Sequence, residues 1–155
     1  MPAPRQHPIG LALSAAAKRV SRAFDDALAE AGGSRPVWLV LLALKAQRPA
    51  TQRELAEAVG IEGATLTHHL DGMERAGLVR RERLPENRRV QRVELTPEGE
   101  RMFLALREAA VAHDARLREG LDDDDLERLR AVLDQMQENV AAPVPEPLRP
   151  PGTAR

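Results

Sequence analysis

Apolar residues recur at three- and four-residue steps from Ile9 to Ala31, through Leu13, Ala16, Ala17, Val20, Phe24, Ala27 and Leu28, which predicts an amphipathic helix. Gly32 and Gly33 stop it. Ser34 can cap a second helix over about 35–47, with Pro36 in the first turn, where a missing N–H costs nothing. That helix is apolar all round (Val37, Trp38, Leu39, Val40, Leu41, Leu42, Leu44), so it is expected at the centre, with Trp38 a core or pocket-wall residue. Thr51 and Glu54 have the spacing of a capping box and open a short third helix with Leu55, Ala58 and Val59 inward. Gly60 ends it, and a fourth helix follows over about 63–76. On this fourth helix Leu66, Leu70 and Met73 share one side, while Ala64, His68, Asp71 and Arg75 lie opposite, flanked by Thr65 and Thr67.

The period then changes. Leu78–Leu84 and Arg89–Leu95 are β-leaning runs joined by the turn-forming Pro85-Glu86-Asn87-Arg88. Alternation places Arg89 on the face of Val93 and Leu95, leaning toward the fourth helix, and leaves Arg88 at the tip. Thr96-Pro97-Glu98 starts a long helix to about Glu119, with Met102, Leu106, Ala109, Ala110, His113 and Leu117 as its stripe. Acids at Asp122–Asp125 open a last helix whose Leu126, Leu129, Leu133, Met136 and Val140 form a seam fit for partner helices. From Ala141 the chain is proline-rich and is expected to be a disordered tail. The predicted fold is mainly α with a small two-stranded β-hairpin: a helix-turn-helix followed by a wing, flanked by helices at both ends.

Composition sharpens this only in places. The 155-residue chain suits one domain, and its 2% aromatic content calls for a core of Leu, Val and Ala. Absent cysteine removes disulfides, thiolate metal sites and thiol switches. No apolar run approaches the roughly 20 residues needed to span a bilayer, and no signal-peptide pattern stands at the N-terminus, so a cytoplasmic location is expected. Net charge is only −1, but Arg75, Arg80, Arg81, Arg83, Arg88, Arg89 and Arg92 crowd one segment. That cluster fits a nucleic-acid face, and equally a salt-bridged surface with Glu74, Glu82 and Glu86. The small polar end of the fourth helix favours DNA: Thr65, Thr67 and His68 can bond base edges or phosphates, and Ala64 can pack on a thymine methyl. Gln52, heading the third helix, and Arg75 complete the candidate contacts. A winged helix that binds protein instead remains the alternative. No enzyme is expected, since His7, His68, His69 and His113 are scattered and no glycine-rich phosphate loop is present. No cofactor or metal is expected either.

The block ATLTHHLDGMERAGLVRRERLPENRRVQRVELTPEGE, preceded by TQRELAEAVGI and Trp38, resembles the MarR family of bacterial transcriptional regulators over roughly residues 9–140. The resemblance implies one MarR-type domain. Helices over 8–33 and 97–140 would form a dimer interface, with Leu13, Leu126, Leu129, Leu133 and Met136 in it, around a winged helix-turn-helix over 34–96, with 141–155 as the tail. It implies a homodimeric, ligand-responsive repressor on a pseudo-palindromic double-stranded operator, released by a small aromatic or anionic effector near Trp38 and His113. Asp71 matches an acid that pairs with a wing arginine, here Arg89. Thr65, Thr67 and His68 match groove-reading positions. The chain departs from the family at Leu84 and Asn87, where the wing commonly carries acids, and at Ala64 and His68, where serine and arginine are frequent. A neutral His68 neutralises phosphate less than arginine, so binding is expected to strengthen toward acid pH.

Overall fold

The computed structural model describes residues 8–46 and 50–141; the expected tail lies almost wholly outside them. The order is α1 (Ile9–Glu30), α2 (Arg35–Ala46), β1 (Ala50–Thr51), α3 (Gln52–Val59), α4 (Gly63–Arg75), β2 (Val79–Arg83), β3 (Gln91–Leu95), α5 (Pro97–Leu117) and α6 (Asp123–Ala141). The hairpin is antiparallel, and the two-residue β1 adds a third strand on the far edge of β3, giving the order β1-β3-β2. The chain divides into two compact units, one ending at Leu117 and the other starting at Arg118.

In the first unit the core is aliphatic, as the scarcity of aromatics requires. Leu41, Leu55, Leu66, Leu70, Leu106 and Val93 are fully buried, joining α2, α3, α4, α5 and the sheet. Truncating any one of these leucines to alanine would cost about 2–5 kcal/mol. The α2 helix fills the centre with Val40, Leu41 and Leu44, yet Leu39 and Leu42 stay 38% and 43% exposed, so its burial is one-sided rather than complete. Two inward positions differ from the sequence pattern. Ala56, not Ala58, is the buried alanine of α3, and Phe103 of α5 is buried because it stacks on Trp38 with ring centroids 5.8 Å apart. The α1 helix is anchored only near its C-terminal end, where Leu28 is buried and Phe24 packs against the core. Ile9, Leu11, Leu13 and Val20 are exposed.

A glycine positions the wing. A Cβ on Gly99 would lie 2.0 Å from the Leu78 carbonyl oxygen, so only glycine lets the first turn of α5 close on the chain entering β2. Thr96 fixes the same corner, its hydroxyl donating to the Gly77 carbonyl and accepting from the Gly99 N–H.

In the second unit, Asp122 and Asp125 cap α6 reciprocally through backbone N–H to carboxylate bonds of 2.8 and 3.3 Å. None of its seam is buried; Leu129 is 51% exposed, and Leu126, Leu133 and Met136 are partly covered.

Candidate nucleic-acid interface

Helices α3 and α4 are set by their ends. Thr51 and Glu54 form the full capping box, and Gly60 turns the chain in the left-handed region at φ 73°. The Thr51 N–H and hydroxyl hold the Glu54 carboxyl below its ordinary pKa, the backbone bond first. The amide of Gln52 donates to the Thr67 hydroxyl at 2.6 Å, and that hydroxyl donates to the Gly63 carbonyl at 2.9 Å. This chain of bonds pins the head of α4 to the head of α3. It also occupies Thr67, which is half-buried and positions the helix rather than standing free to read a base. Gln52 Oε1 is buried without a partner. Leu66, Leu70 and Met73 are buried as the helical wheel predicts, leaving Ala64, Thr65, His68, Asp71 and Arg75 exposed.

The brace between wing and helix involves a different arginine from the one expected. Arg81 Nη2 lies 2.6 Å from Asp71 Oδ1 and 2.6 Å from Glu74 Oε2, while its Nε donates to Glu74 at 3.1 Å. The Arg81 backbone N–H also donates to Glu74. Register explains the choice: Arg81 stands opposite Val93, so it shares the inward face of β2 and β3 with that buried valine. Arg89 lies in the turn before β3 starts at Gln91, where strand alternation no longer applies, and it is exposed. The pair Asp71–Arg89 is therefore replaced by Asp71–Arg81. Asn87 organises the turn, accepting the Arg89 N–H on its side chain at 3.1 Å and the Val90 N–H on its carbonyl at 2.9 Å.

The bond from Arg81 holds the Glu74 carboxyl below its ordinary pKa, and Glu74 raises that of Arg81 in turn. Arg80, on the outer face, pairs with Glu82 and Glu94. Arg75 donates to the Asp71 carbonyl. Among the described residues Arg83, Arg88, Arg89 and Arg92 make no ion pair. The arginine cluster is thus partly a salt-bridged surface and partly uncompensated positive charge. Arg83, Arg88 and Arg89 line one open groove of about 1150 Å³ with Gln52, Arg53, Glu62, Gly63, Thr67 and Gln91. The groove runs between the wing and the heads of α3 and α4, where a phosphate backbone would meet unneutralised cations.

A second cleft, about 490 Å³, lies behind α4; His68, His69 and Arg75 line it with Ser34, Met73 and Met102. Trp38 and His113 line neither cleft. Trp38 is engaged with Phe103, and the His113 ring lies 5.2 Å from Phe24, its Nε2 buried and unpartnered. The described residues hold no group of three or more metal-ligating side chains, and no single helix is long and apolar enough to cross a membrane. In the sequence Arg81 and Arg83 stand only as members of the arginine cluster, with no role of their own; counting the β2 face outward from Val79 puts both on one face.

A sequence model of the MarR family matches residues 34–90. Among solved structures, the transcriptional regulator PA3341 is 34% identical, with a TM-score of 0.65 over 86% of this chain and 98% of its own. A MarR-family transcriptional regulator from Rhodococcus sp. RHA1 is 28% identical, with a TM-score of 0.67 over 83% and 91%. BpsR of Bordetella bronchiseptica, whose DNA binding is regulated by 6-hydroxynicotinic acid, shares the fold at 22% identity, with a TM-score of 0.69 over 83% and 98%.

Proposed function

The chain belongs to the MarR family of transcriptional regulators, and on that premise we propose that it is a homodimeric, cytoplasmic repressor that grips a pseudo-palindromic operator and releases it when a small effector binds. The observation that carries this reading is the separation of surfaces. Among the described residues the exposed large hydrophobic side chains lie on α1, α2, α5 and α6 and at Leu121, and none of them lies on α3, α4 or the wing. The winged helix instead exposes uncompensated arginines beside a small polar helix face. An interaction module for protein would need apolar anchors there.

The apolar positions on α1 and α6, Leu13 and Leu129 among them, suit a second copy of the chain. Such a dimer would carry two recognition helices to half-sites about 34 Å apart. The cleft behind α4 is the better place for an anionic effector, because Arg75 and two imidazoles meet an apolar wall of Val37, Met73 and Met102 there. A ligand in it would bear directly on α4. That BpsR responds to 6-hydroxynicotinic acid supports this class of effector.

Fluorescence anisotropy on duplexes from the intergenic DNA beside the gene tests the reading. Binding should be saturable and should fall steeply between 50 and 200 mM salt, with each neutralised phosphate contributing about 0.9 to the log–log slope. Failure to bind any of that DNA above an unrelated duplex would refute an operator there.

A further inference from the structure

We propose that the head of α4 reads thymine methyl groups, with Ala64 and Thr65 setting specificity, so that each operator half-site places thymines rather than guanines beneath them. This rests on the DNA-binding reading above and names what that surface recognises.

The polar inventory of the exposed face is short. In the first two turns of α4 the exposed side chains are Ala64, Thr65 and His68. Thr67 is withdrawn, because its hydroxyl accepts from Gln52 and spends its proton on the Gly63 carbonyl. Guanine is ordinarily read in the major groove by an arginine or lysine that donates twice, to O6 and N7. This helix has no such group near its head. Its first arginine is Arg75, eleven residues beyond Ala64 and about 16 Å further along the axis, with Nε held on the Asp71 carbonyl. Exposed Glu62, ahead of the helix, makes no capping bond and offers only acceptors, which suit the amino group of an adenine paired with thymine but repel guanine O6 and thymine O4 alike.

Beyond the Thr65 hydroxyl and the His68 imidazole, what the head offers is close approach. A Cβ built on Gly63 would meet nothing within 4 Å, and the next two side chains carry one methyl each. A helix this slender can lie deep in a groove about 12 Å wide. The apolar group on a base edge in that groove is the C5 methyl of thymine, and the Ala64 and Thr65 methyls are its natural contacts.

The test starts from the full-length chain and a pool of randomised duplexes, from which bound sequences are selected. Each thymine of the selected half-site is then replaced by deoxyuridine, which deletes only the methyl. Wild type should bind about fourfold more weakly for each contacted thymine so changed, the cost of losing one buried methyl. Ala64→Gly and Ala64→Ser should both flatten the thymine-to-uracil ratio at one position. Because the ratio compares two duplexes on one protein, a partly unfolded variant does not distort it. Enriched sites that carry guanines at the contacted positions, or bind equally with uracil throughout, would overturn the inference and leave the DNA-binding reading intact. A pool with no enriched sequence would overturn that reading and this inference together.

Discussion

Arg81 joins Asp71 and Glu74 of α4 through 2.6 Å contacts, with only 16% of its side chain exposed. One guanidinium thus ties the wing to α4, so the helix and the ribbon should meet DNA as one rigid surface. Arg81→Ala is expected to weaken operator binding about tenfold through a loosened wing, with the salt slope unchanged, because Arg81 faces protein and not phosphate. Arg81→Lys should restore little, since an ammonium cannot span both carboxylates in the guanidinium's planar geometry. Anisotropy titrations at several salt concentrations check both, and a reduced slope in Arg81→Ala would place this arginine on the phosphate backbone.

Arg88 and Arg89 should behave in the opposite way. Each makes no ion pair among the described residues and lines the open groove. Arg88→Ala and Arg89→Ala should leave the melting temperature within a degree or two, as for exposed surface changes. Each should lower the log–log salt slope by about 0.9 per protomer. An unchanged slope in both variants would remove the wing tip from the interface.

Most of this architecture was legible in the sequence, because helix signals are local. The capping box at Thr51, the glycine stop at Gly60 and the Leu66–Leu70–Met73 stripe each lie within a few residues of what they specify. The brace was not legible, because it depends on hairpin register. Extending the alternation of Val93 back to Arg89 ran past the point where β3 begins, and so turned the wrong arginine inward. The role of Thr67 was hidden for a similar reason: it depends on Gln52, fifteen residues earlier and on another helix.

Two glycines should respond oppositely to alanine. Gly99→Ala drives a methyl into the Leu78 carbonyl and is expected to destabilise the fold by about 1–3 kcal/mol, the usual range for overpacking. Gly72→Ala, inside α4 with open space around the added Cβ, should stabilise by about 0.5–1 kcal/mol through helix propensity. Urea denaturation distinguishes them, and a neutral Gly99→Ala would contradict the close approach of α5 to Leu78.

Acid should release the brace. Glu74 is more acidic in the folded chain because Arg81 donates to it. Its contribution is therefore present above the unfolded carboxylate value of about 4.3 and is lost as pH falls through the lower folded value. Glu74→Gln should melt about 2 °C below wild type at pH 7, and the gap should close only as pH falls below the unfolded value and through the lowered folded one. A gap that persists undiminished at pH 3 would mean that Glu74 acts through packing rather than charge.

Dimerisation is tested on α6, where Leu133 sits in a seam with no buried residue. Leu133→Asp is expected to sediment as a monomer and to lose operator binding, since one half-site offers only part of the contact. A dimer in that variant would place the interface elsewhere.

On the proposed reading, the head of α4 and the unpaired arginines of the wing form one DNA-binding surface. The most direct measurement is the salt dependence of affinity for a selected duplex, comparing wild type with the double variant Arg88→Ala/Arg89→Ala. Wild type should show a steep slope and the double variant a drop of about 1.8 per protomer, with the folded state intact. Equal slopes for the two proteins would contradict it.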